Sequence, residues 1–321
     1  MIIRETMERQ QTWFYVMALC AGAWIGLAAP AWGSLLHNAV SPVLAVLLYS
    51  MFVQIPFTEL RASWSNLHFM AALLIANFIA VPIVVWLLTL VFPQSSGVLM
   101  GVYLVLLTPC IDYVIVFTQL GRGNEKLMLA ATPLLFVVQI ILLPGYLWLF
   151  MGSDAAAVMR AGPFVEAFLL LIVVPLLLAL MTQILANKGG SAQRLLHVTA
   201  WFPVPMMAIA LVVVVASQIG KVYNDLNSIV DVIPIYAAFL IIMPWISRII
   251  AKLFQLDTGA GRAIVFSAST RNSLVVLPLA LSLSPEWATI AAAVIVTQTM
   301  VELAGELIYI RLVPLVILRD R

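Results

Sequence analysis

The sequence is poor in charge. Only 9% of its 321 residues are Asp, Glu, Lys or Arg, against about 25% in an average domain, which excludes a globular fold surrounded by water. Cysteine is scarce: Cys20 and Cys110 are the two, both in apolar runs, so no disulfide framework is indicated. The histidines His37, His68 and His197 stand near segment ends at no metal-ligand spacing, and no Ser-His-Asp arrangement can be built from them. A phosphate-cradling glycine loop ending in Lys-Ser/Thr is missing, which removes an ATP-driven motor. Nothing therefore points to an enzyme, a cofactor, a metal site or a nucleic-acid partner. The tail MIIRETMERQQ lacks the pattern of a cleaved signal peptide, so the first apolar segment is expected to stay in the protein.

What the sequence has in abundance is apolar length: 64% hydrophobic residues and a mean hydropathy of +1.11. Runs long enough for a hydrocarbon core of about 30 Å number ten, roughly 12–30, 39–58, 68–92, 97–119, 127–151, 163–186, 195–219, 228–254, 262–283 and 287–310. The connections are short and polar (GRGNEK, NKGGSAQ, SLSPEW), so a single transmembrane domain over 1–321 is expected. With the N-terminus inside, every Lys and Arg falls in cytoplasmic segments except Arg160 and Lys221 outside and Arg271 within the membrane. The positive-inside rule then places both termini in the cytoplasm, as an even number of spans requires. The expected location is the cell (inner) membrane, with the lipid bilayer as partner and no oligomeric state assigned.

Polar residues within the spans suggest a repeat. Asp112, Glu125 and Gln139 are separated by 13 and 14 residues, and Asn272, Glu286 and Gln298 by 14 and 12. Five spans per half in opposite orientation, about 12–151 and 163–311, is the arrangement of an inverted-repeat transporter. The expected fold is all-α: ten transmembrane helices in two inverted five-helix repeats, with broken, crossing fourth and ninth helices.

Those two spans carry the candidate site. IVFSASTRNSLVVLP holds a polar island from Ser267 to Ser273 around Arg271. A charge at mid-bilayer costs about 2.5–3.5 kcal/mol on insertion scales, and clustered Ser, Thr and Asn compete with the helix for backbone hydrogen bonds. GVYLVLLTPCIDYVIVF places Pro109, Cys110 and Asp112 near mid-membrane in the fourth span, and Asp112 is expected to pair with Arg271 where the spans cross. In the tenth span Gln298, Glu302 and Glu306 recur every four residues, so they share one face. Mutual repulsion there disfavours ionising both carboxyls together, which suits a proton-coupled carrier. The bland alternative for Glu306 is pairing with Arg311. Asn77 and Gln139 are expected to line the cavity or to bridge helices.

On TPCIDYVIVFTQLGRGN, IVFSASTRNS, QTMVELAGEL, YSMFVQIPFTEL and NFIAVP the chain resembles the bile acid:sodium symporter superfamily along its full length, and its arsenite permease branch in particular. The resemblance implies that Cys110 is the thiol meeting arsenite and Glu302 the proton-linked carboxylate. On the residues themselves, Arg271, Asn272 and Ser273 are expected to line the crossing, and Asp112, an intramembrane carboxylate, is expected to help handle protons. Arsenic(III) prefers soft thiolate ligands, and one thiol binds reversibly, as a carrier needs. Sodium symporters of the superfamily carry Glu and Gln where this chain has Ser267 and Arg271, which disfavours sodium coupling. Arsenite or antimonite efflux in exchange for protons is the expected function. The alternatives are a carrier of another small inorganic or organic anion bound by Arg271, and a membrane sensor that moves nothing.

Overall fold

Proline or asparagine stands at the start of most helices in the computed structural model, which describes residues 2–55, 66–111, 113–158, 169–186, 190–222 and 230–319. The described residues are almost entirely helical, with no strand among them. Three stretches are long and apolar enough to cross a membrane: Leu67–Val91, Glu125–Gly152 and Ile233–Leu253. Shorter apolar helices accompany them. The expected fourth and ninth spans are each divided in two, which is why neither yields a helix of spanning length.

By contacts the chain forms two compact units. The first comprises Met1–Thr58, Met159–Leu226 and Leu277–Ala293. Its helices include α1 (Ile2–Ala28), α2 (Pro30–Phe52), α8 (Val174–Ala186), α9 (Ser191–Thr199) and α10 (Pro203–Val222). Pro30 opens α2 at a position where a missing N–H costs nothing. The carbonyls at the other end of α2 are capped from α8, since Gln183 Nε2 donates to Val53 O at 2.9 Å and Ile55 O at 2.6 Å. Helices α1 and α10 touch at Gly22, where a Cβ would lie 2.9 Å from the Val212 carbonyl oxygen. Only glycine permits that approach.

The second unit comprises Glu59–Val158, Asn227–Val276 and Val294–Arg321. It contains α3 (Leu67–Ile75), α4 (Val81–Val91), α5 (Ser96–Leu106), α6 (Val114–Leu120), α7 (Glu125–Val158), α11 (Ile233–Leu253) and α12 (Thr258–Ser269). Helices α13 (Ser273–Leu281) and α14 (Pro285–Leu312) contribute the parts assigned to this unit. Asn66 caps α3 by accepting the Phe69 N–H, and Asp257 caps α12 by accepting that of Ala260.

Between α3 and α4 runs a π-helical turn, Ala76–Ala80. Two side chains account for it. Asn77 Nδ2 donates to Leu73 O at 3.1 Å, competing for a carbonyl of the helix ladder. Pro82 has no N–H for Phe78 O, and that oxygen accepts the Tyr146 hydroxyl instead. On the same helix Ile79, Ile83, Trp86 and Leu90 form an exposed apolar stripe, while Asn77 is buried. Apolar outside and polar inside is the pattern of a helix facing lipid.

Candidate functional site

Pro109 and the run Thr270–Arg271–Asn272 interrupt their helices at places that answer each other. Both breaks belong to the second unit, and they pair antiparallel through a single bridge, Pro109 with Arg271. The Cys110 N–H donates to Thr270 O at 3.1 Å, and the Asn272 N–H donates to Thr108 O at 2.9 Å. Each break thus satisfies backbone groups that the other exposes, as a mid-membrane interruption must.

Helices α5 and α12 end at this crossing, so their last carbonyls need donors. The Thr108 hydroxyl lies 2.9 Å from Leu104 O and 3.1 Å from Val105 O. Arg271 serves both helices: Nη1 donates to Leu106 O of α5 at 3.3 Å, and Nη2 to Ser267 O of α12 at 2.6 Å. Nη2 also donates to Asn77 Oδ1 at 2.8 Å, and the guanidinium carbon lies 5.6 Å from the centre of the Phe239 ring. The side chain is wholly buried. Two helix C-termini, each with partial negative charge, stabilise the cation. Its Nε has no hydrogen-bond partner among the described residues.

Helices α6 and α13 begin where α5 and α12 end. The Asn272 side chain caps α13, accepting the Val275 N–H at 3.2 Å, while its Nδ2 has no partner among the described residues. Glu302 of α14 meets Arg271 at the backbone: Oε2 accepts the Arg271 N–H at 2.7 Å and the amide of Gln298. Glu302 Oε1 lies 2.6 Å from the Tyr113 hydroxyl, which is also 3.0 Å from the Arg271 carbonyl oxygen. One turn further along α14, Glu306 Oε1 lies 2.6 Å from the Thr270 hydroxyl, which is also 2.6 Å from Phe266 O. Glu306 Oε2 has no partner among the described residues. Glu302 and Glu306 are both buried.

Each of these hydroxyls has one proton and two acceptors. If Glu302 is ionised, Tyr113 donates to it. If Glu302 carries a proton, the carboxyl can donate to the Tyr113 oxygen and Tyr113 donates to the Arg271 carbonyl. The arrangement accommodates both states by turning one O–H bond. Thr270 stands in the same relation to Glu306 and the Phe266 carbonyl.

The crossing therefore brings together Cys110, Arg271, Asn272, Gln298 and Glu302, with Asn77 and Glu306 joined to it through Arg271 and Thr270. Ser273 accepts the Thr299 hydroxyl at 2.8 Å, a contact between α13 and α14. Cys110 is fully buried. Gln139 is buried on α7, but no hydrogen bond among the described residues ties it to the crossing. Asp112, and with it the expected pairing to Arg271, lies outside the described residues. Tyr113, Thr270 and Thr299 were not singled out from sequence. Tyr113 had a signal, being a hydroxyl in an apolar segment directly after a break, where it needs a partner.

Among the described residues no group of three His, Cys, Asp or Glu side chains could hold a metal ion. No curated protein matched the chain. Residues 41–225, more than half of its length, match the model of the sodium bile acid symporter family; they include Asn77, Cys110 and Tyr113 but stop short of Arg271 and Glu302. The apolar helices and that match identify a multi-pass membrane protein and a solute transporter, and the chain belongs to the sodium bile acid symporter family.

Proposed function

We propose that this transporter expels arsenite, or antimonite, in exchange for protons. The observation that carries the proposal is that Cys110 and Glu302 belong to one crossing. Cys110 is bonded through its N–H to Thr270, and Glu302 to the N–H of the adjoining Arg271. The Cys110 thiol displaces one hydroxyl of As(OH)₃ to give an S–As bond and water, and the reverse step releases the solute. Glu302 carries the exchanged proton, with Tyr113 following its state. Asp112 is a second candidate carrier.

A resident cation at two helix C-termini supports a sodium-independent cycle. Half-helix C-termini are where transporters of this kind hold coupling cations, and here Arg271 already donates to Leu106 O and Ser267 O. We also propose the ten-span inverted repeat, in one domain with both termini cytoplasmic in the cell membrane. The composition of the compact units supports it. Apart from 277–293, which joins the first unit, each unit takes segments from corresponding places in both halves, 1–58 with 159–226, and 59–158 with 227–276 and 294–321.

The test is arsenite uptake into everted membrane vesicles under an imposed pH gradient, for wild type and Cys110→Ser. Gradient-driven uptake that the substitution abolishes supports the reading; no uptake by well-expressed wild type ends it. A second reading, an anion carrier, is favoured by the buried Nε of Arg271, which has no partner among the described residues and could donate to a negatively charged solute. It requires that Cys110→Ser transports normally and Arg271→Gln does not. A membrane sensor is the reading left if no solute moves in proteoliposomes.

A further inference from the structure

We propose that a basic recess at the end of α11 binds the headgroup of an anionic phospholipid. The recess, about 760 Å³, is formed by the last turns of α11, the loop into α12 and the segment after α14, all within the second unit. Among the described residues, Arg248, Lys252 and Arg319 line it, against one carboxylate, Asp257. That carboxylate is engaged in capping α12 through the Ala260 N–H, at 2.9 Å. The recess is therefore cationic, and its volume lies in the range of small-ligand sites, roughly 300–1,000 Å³.

The surroundings choose the source of the anion. Trp245, Arg248, Ile249, Lys252 and Leu253 follow one another at helical spacing, so they make a single face of α11. Trp245, Ile249 and Leu253 are exposed large apolar side chains, and the Arg248 guanidinium lies over the Trp245 ring, 5.8 Å from its centre. Leu315 and Val316 are exposed on the adjoining segment. Ile233–Leu253 is long and apolar enough to cross a bilayer, so this face passes from acyl-chain surroundings to headgroup level, with tryptophan where interfacial anchors belong. Cations beside exposed aliphatic groups suit a molecule that is anionic at one end and apolar at the other. A soluble phosphate would use the cations alone. Arg262, by contrast, is buried and committed to Leu318 O and Arg122 O, so it holds the wall of the recess and is not a ligand.

Basic groups near a membrane surface contribute about 1 kcal/mol each toward anionic lipid, or about fivefold in affinity per cation. The experiment is native mass spectrometry of the full chain, purified in detergent and titrated with phosphatidylglycerol or with phosphatidylcholine of the same acyl chains. Wild type is expected to retain phosphatidylglycerol in preference, and a variant with Arg248→Gln, Lys252→Gln and Arg319→Gln to retain it on the order of 100-fold more weakly. Lys252→Gln alone alters an exposed side chain and is expected to weaken retention about fivefold, which keeps the test open if the triple variant folds poorly. Equal retention by wild type and variants, or no preference over phosphatidylcholine, overturns the proposal. So does displacement of the lipid by inorganic phosphate at comparable concentration, which would make the recess a small-anion site. None of these outcomes depends on the transported solute.

Discussion

Replacing Tyr113 by Phe removes one oxygen and leaves the ring. The ring packs edge-on against Phe117, with centres 5.9 Å apart and planes at 89°, so packing at the crossing is conserved. What disappears is the hydroxyl that lies 2.6 Å from Glu302 Oε1 and 3.0 Å from the Arg271 carbonyl. A hydrogen bond to a charged group contributes about 1.5–3 kcal/mol and one between neutral groups about 1 kcal/mol. Without the hydroxyl, ionised Glu302 loses a donor on Oε1, and protonated Glu302 loses the acceptor for its own proton. In the proposed proton exchange, each state that the carboxyl would pass through is therefore raised. If about 1.5–3 kcal/mol of this reaches the rate-limiting step, proton-driven arsenite uptake in everted vesicles falls roughly 10- to 150-fold. Arsenite exchange at equal pH on both sides, which does not require Glu302 to change state, falls much less. Uptake by Tyr113→Phe within twofold of wild type at equal expression would refute the relay. A parallel loss in both assays would make Tyr113 a structural group only.

Further outcomes follow from the same geometry. Glu302→Gln reproduces the contacts of the protonated carboxyl, its oxygen accepting from the Arg271 N–H and Gln298 and its amide donating to the Tyr113 oxygen; its unfolding midpoint in detergent is expected close to that of wild type, while gradient-driven uptake is expected to be lost. Glu306→Met removes both buried carboxyl oxygens, one of them without a partner among the described residues, and leaves the Thr270 hydroxyl donating to Phe266 O, so its midpoint is expected at or above that of wild type. Arg262→Met deletes donors to Leu318 O at 3.0 and 2.7 Å and to Arg122 O at 3.1 Å, and is expected to cost about 3 kcal/mol, with faster proteolysis of the C-terminal segment as the second readout. Gly22→Ala sets a methyl against the Val212 carbonyl and is expected to cost about 1–3 kcal/mol, seen as a lower unfolding midpoint.

The breaks were legible in the sequence because their causes are local. Pro109 removes a helix donor, and Ser, Thr and Asn around Arg271 compete for backbone groups. The part that helix ends play in stabilising Arg271 was not legible. The expected partner, Asp112, lies outside the described residues; the described contacts of the guanidinium are carbonyl oxygens of Leu106, Ser267 and Asn77. Carbonyls at helix ends have no sequence signature of their own, since every residue has one. Their value to a cation depends on which ends converge, a property of tertiary structure. Tyr113 was passed over for a related reason. Its neighbour Asp112 had the conspicuous charge, and a tyrosine in an apolar segment reads as packing until its hydroxyl is placed.

The crossing sorts charge by helix polarity. Helices α5 and α12 bring C-terminal ends to it, and the cation of Arg271 binds their carbonyls. The half-helices α6 and α13 bring N-terminal ends, and the carboxyl of Glu302 takes the Arg271 N–H leading into α13 and the hydroxyl of Tyr113 leading into α6. Partial charges at helix ends favour that assignment at both poles. The consequence is that Arg271 and Glu302 are held by different parts of the crossing, although Glu302 bonds the backbone of Arg271 itself. A proton arriving on Glu302 then changes the charge balance at the N-terminal ends without requiring the guanidinium to leave the C-terminal ones. Had the two formed a direct buried ion pair, neutralising the carboxyl would have left an uncompensated buried cation, at a cost of about 3–5 kcal/mol. In the proposed proton exchange, separate anchoring would let the carboxyl change state while the cation stays in place.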